Sequence, residues 1–403
     1  MAGFGIARKL PGPLRRMATR IDAAYQIVRP PTVDLSKLRP RRPYRGDDVA
    51  VIGIFKSRSG IGRGGQLIAL GLEKAGARVT RVDVTDQMGI PQAESSLACI
   101  SLDECLTTNP TDVVLVLNPP LFVDALLRLG AEWVSERSIV AHWVWELDVL
   151  PRPWRFATRA ADEVWASSEF VADAVRNSVP HYWGPIKTVP YPVDLDPLPK
   201  GDRSLRSTVR ARLGIDRDAF VAGYSFAATS NFTRKNPEAA IEAFQMAFPA
   251  GQDNVALILR CLDMAIFPAG RERLVRAAAG DRRIIILDDA SGGAPSLGEF
   301  YASIDAYLAP SRSEGYGLNL VEASQLGLPV IATRWSLSSD ILSRPNIFTV
   351  DSDLVAVKDP QHQYAFMRTA RWAEPKRDQL AACLRRVRQS QAANRETLSS
   401  STP

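Results

Sequence analysis

Long apolar runs are missing from this chain, and no hydrophobic stretch approaches the ~18–20 residues of a membrane span. Cysteine and histidine are scarce, with four and three in 403 residues. Cys99, Cys105, Cys261 and Cys383 show neither paired spacing nor histidine partners. That pattern argues against a disulfide frame or a zinc site, and for reduced thiols in a cytoplasmic protein. The opening "MAGFGIARKLPGPLRRM" lacks the apolar segment of a secretory signal, so none is expected. No fixed-period repeat appears.

What is present is the composition of a globular protein, 46% hydrophobic and 23% charged. The length exceeds one ordinary core and implies two domains. The net charge of +6 is uneven: residues 1–48 carry 11 Lys and Arg against 4 acids, while the rest balances 39 against 40. The basicity belongs to an N-terminal tail, residues 1–47. Within it Leu14, Met17, Ile21, Ala24, Tyr25 and Val28 share one helical stripe, with Arg15, Arg16 and Arg20 on its flanks and back. A basic amphipathic helix suggests peripheral contact of residues 1–45 with an anionic inner leaflet. A locally packed or unstructured extension is the alternative.

Apolar runs then alternate with helical patterns, the mark of parallel α/β sheets. Strands are expected at 49–55, 77–84, 112–118, 138–145 and 163–168, and a helix at 64–76. The Pro-rich stretch 189–202 reads as a linker. The pattern restarts with strands at 220–226, 255–261, 283–289 and 305–311. A helix is expected at 236–248, with Asn236 as N-cap and Pro237 at its first position. A helix from about Leu318 to Leu326 precedes the strand "PVIAT". Two doubly wound domains facing each other across a cleft, residues 48–200 and 201–371, are the expected architecture. One larger sheet is the alternative.

Ligands of open α/β sheets sit at strand carboxyl ends, and two loops of the second half meet that rule. One contains Glu314-Gly315-Tyr316-Gly317, whose glycines allow close backbone approach ahead of a helix N-terminus at Leu318. Glu322 lies roughly 7 Å further along that helix, about the reach from a diphosphate to its ribose. A carboxylate among Val321, Ala323 and Leu326 is costly unless something bonds to it. The other loop ends in Arg234-Lys235, two cations ahead of a helix, which form a second anion seat. Sugar hydroxyls on the carboxylates and a diphosphate on the cations together describe a nucleotide-sugar. It would serve as co-substrate, with no separate cofactor.

"RSEGYGLNLVEA…GLPVIAT" resembles the E-x7-E signature of family 4 glycosyltransferases, which have the two-domain GT-B fold. "SNFTRKNPEAAIEAF" is similar to that family's diphosphate loop. "AHWVWELDVLPRPW", "VWASSEFVADAV" and "WAEP" resemble a mannosyltransferase subgroup. The resemblance implies that Glu314 binds donor-sugar hydroxyls and Glu322 the ribose. It puts Arg234, Lys235 and the backbone of Gly315, Tyr316, Gly317 and Leu318 at the diphosphate. It also implies retention of configuration without a metal, a saccharide or lipid-linked acceptor on the first domain in envelope or polysaccharide biosynthesis, and a final helix, 372–395, crossing back to that domain. The segment after "VIAT" and the strand "LILRCLD" depart from the family pattern and leave base and sugar unassigned.

Gly60-x-Gly62-x-x-Gly65 has the form of a dinucleotide fingerprint, but four residues separate it from its strand. A glycine loop over donor phosphates or acceptor is the preferred reading. His142 ends a strand; it is a structural histidine or, by resemblance, a donor-sugar contact. Asp194-x-Asp196 and Asp351-x-Asp353 imitate a metal-binding Asp-x-Asp, but lie in the linker and a late loop, and no metal set is read from them. No nucleic-acid partner is expected. The rival readings are a GT-B nucleotide-sugar epimerase, a nicotinamide-dependent oxidoreductase and a non-catalytic sugar-nucleotide-binding protein.

Overall fold

Runs such as Val49–Ile52 and Val113–Val116 are buried along their whole length, because helices cover both faces of the sheet they enter. The computed structural model describes residues 41–400 except 94, 194–201, 253, 290–293, 365, 366 and 368. The amphipathic tail reading falls on residues 1–40, and the linker's middle and the 200/201 boundary on 194–201. Both lie outside the described residues. The chain divides into two compact units, Met1–Asp194 and Leu195–Tyr364; Ala365–Ala370 group with the first and Arg371–Pro403 with the second.

The first unit holds β1 (Asp48–Gly53), β2 (Arg78–Asp83), β3 (Asp112–Val116), β4 (Ser138–Trp143), β5 (Glu163–Ala166) and β6 (Ile186–Thr188). They form one parallel sheet in the order β2-β1-β3-β4-β5-β6. The second holds β7 (Phe220–Ala227), β8 (Val255–Leu262), β9 (Ile284–Asp288), β10 (Ala306–Ala309), β11 (Val330–Thr333) and β12 (Ile347–Val350), parallel in the order β12-β11-β10-β7-β8-β9. β13 (Ser352–Ala356) and β14 (Arg371–Pro375) add an antiparallel pair. In the second sheet β7 to β9 step one way and β10 returns to the other side of β7. The switch point is therefore between β7 and β10, the two strands that carry the candidate loops.

Two helices differ from expectation. The glycine segment at 60–65 is not a loop: Gly60–Lys74 is one helix, with Ser59 as its cap accepting from the Gly62 N–H at 3.2 Å. The glycines serve packing. A Cβ on Gly62 would lie 2.6 Å from the Ser57 carbonyl oxygen and 2.7 Å from that of Ile54. The final helix, Arg377–Ser400, packs on helix Pro237–Ala247 of the second unit instead of crossing back to the first. Arg377 bonds Glu242, Arg385 reaches the Met246 carbonyl and Gln391 that of Asp305. These complementary partners line one face of the helix, so this is where its amphipathic side is satisfied.

Helix Arg203–Arg212 is rich in arginine, a composition usual for a solvated face. Yet Arg210 is buried, donating to the carbonyls of Ser303 and Ala219, both at 2.9 Å, and to the Asp305 carboxylate at 2.7 Å. A buried guanidinium is tolerable only when its donors are met in this way.

Candidate active site

β7 ends at Ala227 and feeds a short helical turn, Phe232–Lys235; β10 ends at Ala309 and feeds residues 310–317. Because the two strands are neighbours, their carboxyl-end loops meet. Lys235 donates to both oxygens of Glu314, at 2.7 and 2.9 Å, and Arg234 Nη1 reaches the same carboxylate at 3.2 Å. Arg234 is 2% exposed, and its guanidinium also holds the carbonyls of Ser313 and Ser230, at 2.6 and 2.7 Å. The sequence-predicted Glu314, Arg234 and Lys235 thus form one cluster.

Its electrostatics follow from that contact. Burial alone would raise the Glu314 pKa, but the adjacent Lys235 and Arg234 charges outweigh it and hold the group at about 2. Glu314 is therefore an anion at any physiological pH. Its partners within the chain are these two cations.

Glu322 also has a partner within the chain. It is 3% exposed on helix Leu318–Gln325, and the Tyr301 hydroxyl donates to it at 3.1 Å. The same hydroxyl lies 2.9 Å from the Asn319 carbonyl. Gly317, at φ 90°, starts this helix in the left-handed region that glycine occupies without strain, and it has no side chain to cap the first N–H groups. Gly315 and Tyr316 are buried, and burial pushes the Tyr316 phenol up to about 12.

Several supporting residues carried no sequence signal. The Tyr224 hydroxyl bonds the Lys235 carbonyl at 2.8 Å and Ser311 Oγ at 2.9 Å. Ser336 accepts from the Glu314 N–H at 2.8 Å. The Arg312 N–H donates to the Arg234 carbonyl at 2.8 Å, and its guanidinium to Thr233 and Glu374. Asn236 was expected to cap helix Pro237–Ala247. It occupies the cap position at φ 53° but makes no capping bond, its amide going to the Pro310 carbonyl and Glu374. It ties the two loops together.

The first unit contains the other candidates. His142 is 1% exposed; its Nε2 lies 3.0 Å from the Val189 carbonyl oxygen and its ring packs on Tyr191 at 5.0 Å. Burial lowers its pKa to about 4. The ring is therefore neutral at physiological pH, and its Nδ1 is buried without a hydrogen-bond partner. Gly60 and Gly62 open a helix, as described above. Among the described residues no group of three His, Cys, Asp or Glu side chains is placed to hold a metal ion, and no helix is long and apolar enough to cross a membrane.

Residues 226–365, which include both loops, match the family described as Glycosyl transferases group 1. Up to Tyr364 that match lies within the second unit. Solved structures agree on the architecture. Anabaena HepE, in complex with UDP and glucose, is 17% identical with a TM-score of 0.54, covering 87% of this chain and 99% of its own. WaaG, a glycosyltransferase involved in lipopolysaccharide biosynthesis, is 16% identical with a TM-score of 0.52, covering 84% and 90%. Sucrose-phosphate synthase from Thermosynechococcus elongatus gives 16% and 0.51, covering 88% and 100%. The chain has the GT-B fold. Over 73 residues it is 32% identical to the lipopolysaccharide core biosynthesis mannosyltransferase LpsB of Rhizobium meliloti. That stretch spans 18% of this chain and 19% of the relative.

Proposed function

We propose that the protein transfers a hexosyl group, mannosyl by preference, from a nucleotide-sugar to a saccharide or lipid-linked acceptor, with retention and without a metal. The observation that carries this reading is the Lys235–Glu314–Arg234 cluster, set beside an uncapped helix start at the switch point of a group 1 domain. The donor diphosphate would replace the Glu314 carboxylate on the two cations. Glu314, released, would accept the sugar hydroxyls, while Glu322 would take the ribose. The bond from the anomeric carbon to the phosphate oxygen breaks, and the acceptor oxygen bonds to that carbon on the same face. Its proton passes to the departing phosphate. Fixed cations and the helix dipole stabilise the charge developing on the diphosphate. HepE's complexes with UDP and UDP-glucose support a nucleotide-sugar donor, and the short match to LpsB supports mannose.

The test is a donor panel of GDP-mannose and UDP-sugars, assayed for nucleoside diphosphate release with and without a chelator. Activity is expected to survive chelation, and Lys235→Ala to lower it by ~10²–10³. Strict dependence on added Mg²⁺ or Mn²⁺ sinks the metal-free reading.

A further inference from the structure

The first unit contains a cavity of about 800 Å³ at the amino-terminal end of its sheet. Asp162, in its lining, immediately precedes β5; Val134 lies four residues ahead of β4 and Arg41 seven ahead of β1. Substrates of open α/β sheets bind at the opposite, carboxyl ends, so this cavity is no part of that sheet's substrate site.

Four arginines line it: Arg41, Arg152, Arg155 and Arg159. None of them pairs with an Asp or Glu among the described residues. The carboxylate in the lining, Asp162, accepts from the Arg42 N–H at 3.1 Å and the Ile139 N–H at 2.7 Å. Arg155 Nε is buried without a hydrogen-bond partner. Between the arginines the wall is apolar, with Leu126, Phe156 and Val179. On the rim Trp183 is 90% exposed and Leu127 41%.

Four arginines alone would be a solvated surface. Water satisfies guanidinium groups but not an apolar wall beside a bare indole, and inorganic phosphate has the same shortcoming. A lipid headgroup satisfies both, with its phosphate on the arginines and the indole at the depth where tryptophan gathers in bilayers. The chain's own first 40 residues are a poor occupant, because they carry eight basic and two acidic residues and join the described structure at Arg41, in the same lining.

We propose that this cavity is a phospholipid-headgroup site by which the first unit rests on an anionic bilayer. It stands independently of the donor site, and its test leaves that site untouched. The full-length chain is sedimented with phosphatidylcholine vesicles with and without phosphatidylglycerol. The comparison set is Arg152→Glu/Arg159→Glu, Trp183→Ala and a tail variant, Arg15→Glu/Arg16→Glu. Each basic residue near such a surface is worth roughly five-fold, so the cavity double variant is expected to lose at least about 25-fold in anionic-vesicle binding. Trp183→Ala is expected to lose several-fold with an unchanged salt dependence; at so exposed a position it does not disturb the core. Full binding by both cavity variants, with loss only in the tail variant, overturns the proposal. So does displacement of the wild-type chain from vesicles by inorganic phosphate at headgroup concentration, which marks a free-anion site. Displacement by single-stranded nucleic acid that the cavity variant no longer binds also overturns it.

Discussion

Lys235 holds both carboxylate oxygens of Glu314, so the anion seat of the second unit contains an anion of its own. On the proposed function a donor diphosphate displaces it. We predict that Glu314→Gln binds free nucleoside diphosphate several-fold more tightly than wild type while turnover falls by ~10²–10³. Calorimetry with the free nucleotide, beside turnover of the intact donor, checks both halves. Weaker binding of the free nucleotide would mean that Glu314 helps to hold the phosphates and does not compete with them.

Glu322 and Tyr301 behave differently, because their bond lies deep in the domain. Tyr301→Phe leaves a buried carboxylate short of one donor, and the expected loss is about 1–3 kcal/mol of stability. If ribose hydroxyls take the vacated place, nucleoside diphosphate raises the melting temperature of Tyr301→Phe more than that of wild type. Glu322→Gln is expected to weaken free nucleotide and donor alike. An equal ligand shift in wild type and Tyr301→Phe removes Glu322 from the ribose.

The pattern of strands is legible because buried parallel strands are mostly apolar along their length, and ten of the twelve in the two sheets can be read that way. β6, with its lysine, and the half-buried β12 cannot. The three charged residues of the cluster were legible as anion chemistry, since Arg234-Lys235 and Glu314 each precede a helix. Their pairing with one another was not. It depends on β10 returning beside β7, a long-range choice that no local spacing reveals. Tyr301 was hidden for the same reason, lying 21 positions from Glu322 on a separate helix. His142 shows the converse: its motif is legible as a candidate, while its burial against Val189 and Tyr191 is not.

That packing gives a pH signature. His142 has its pKa lowered by burial to about 4, against 6.5 for the free group. Above pH 6.5 it is neutral in both states; between 6.5 and 4 the unfolded chain takes up a proton that the folded one refuses. Stability therefore drops as pH falls through this window, by about 2 kcal/mol from pH 7 to 5. Glu314 acts lower: its stabilising charge is present above about pH 4.5 and is lost as pH falls toward 2. Denaturant unfolding at pH 7 and 5 is expected to show a smaller difference in His142→Gln than in wild type. Equal differences would mean that His142 titrates normally when folded.

The glycines of the first helix offer the last separation of roles. Around Gly60 a Cβ would meet nothing within 4 Å, whereas at Gly64 it would lie 2.5 Å from the Tyr191 ring, and at Gly62 against two backbone carbonyls. Gly60→Ala is therefore expected to stabilise the fold, by ~0.4–1 kcal/mol through the unfolded chain. Gly62→Ala has rigid backbone to displace and is expected to destabilise by ~1–3 kcal/mol. Gly64→Ala must push aside an aromatic ring that packs on His142, and the same direction is expected. If these residues serve only to seat the helix, melting temperatures move in those directions while nucleoside diphosphate affinity stays unchanged in Gly60→Ala. A variant that melts higher yet loses nucleotide binding would return Gly60 to the donor site.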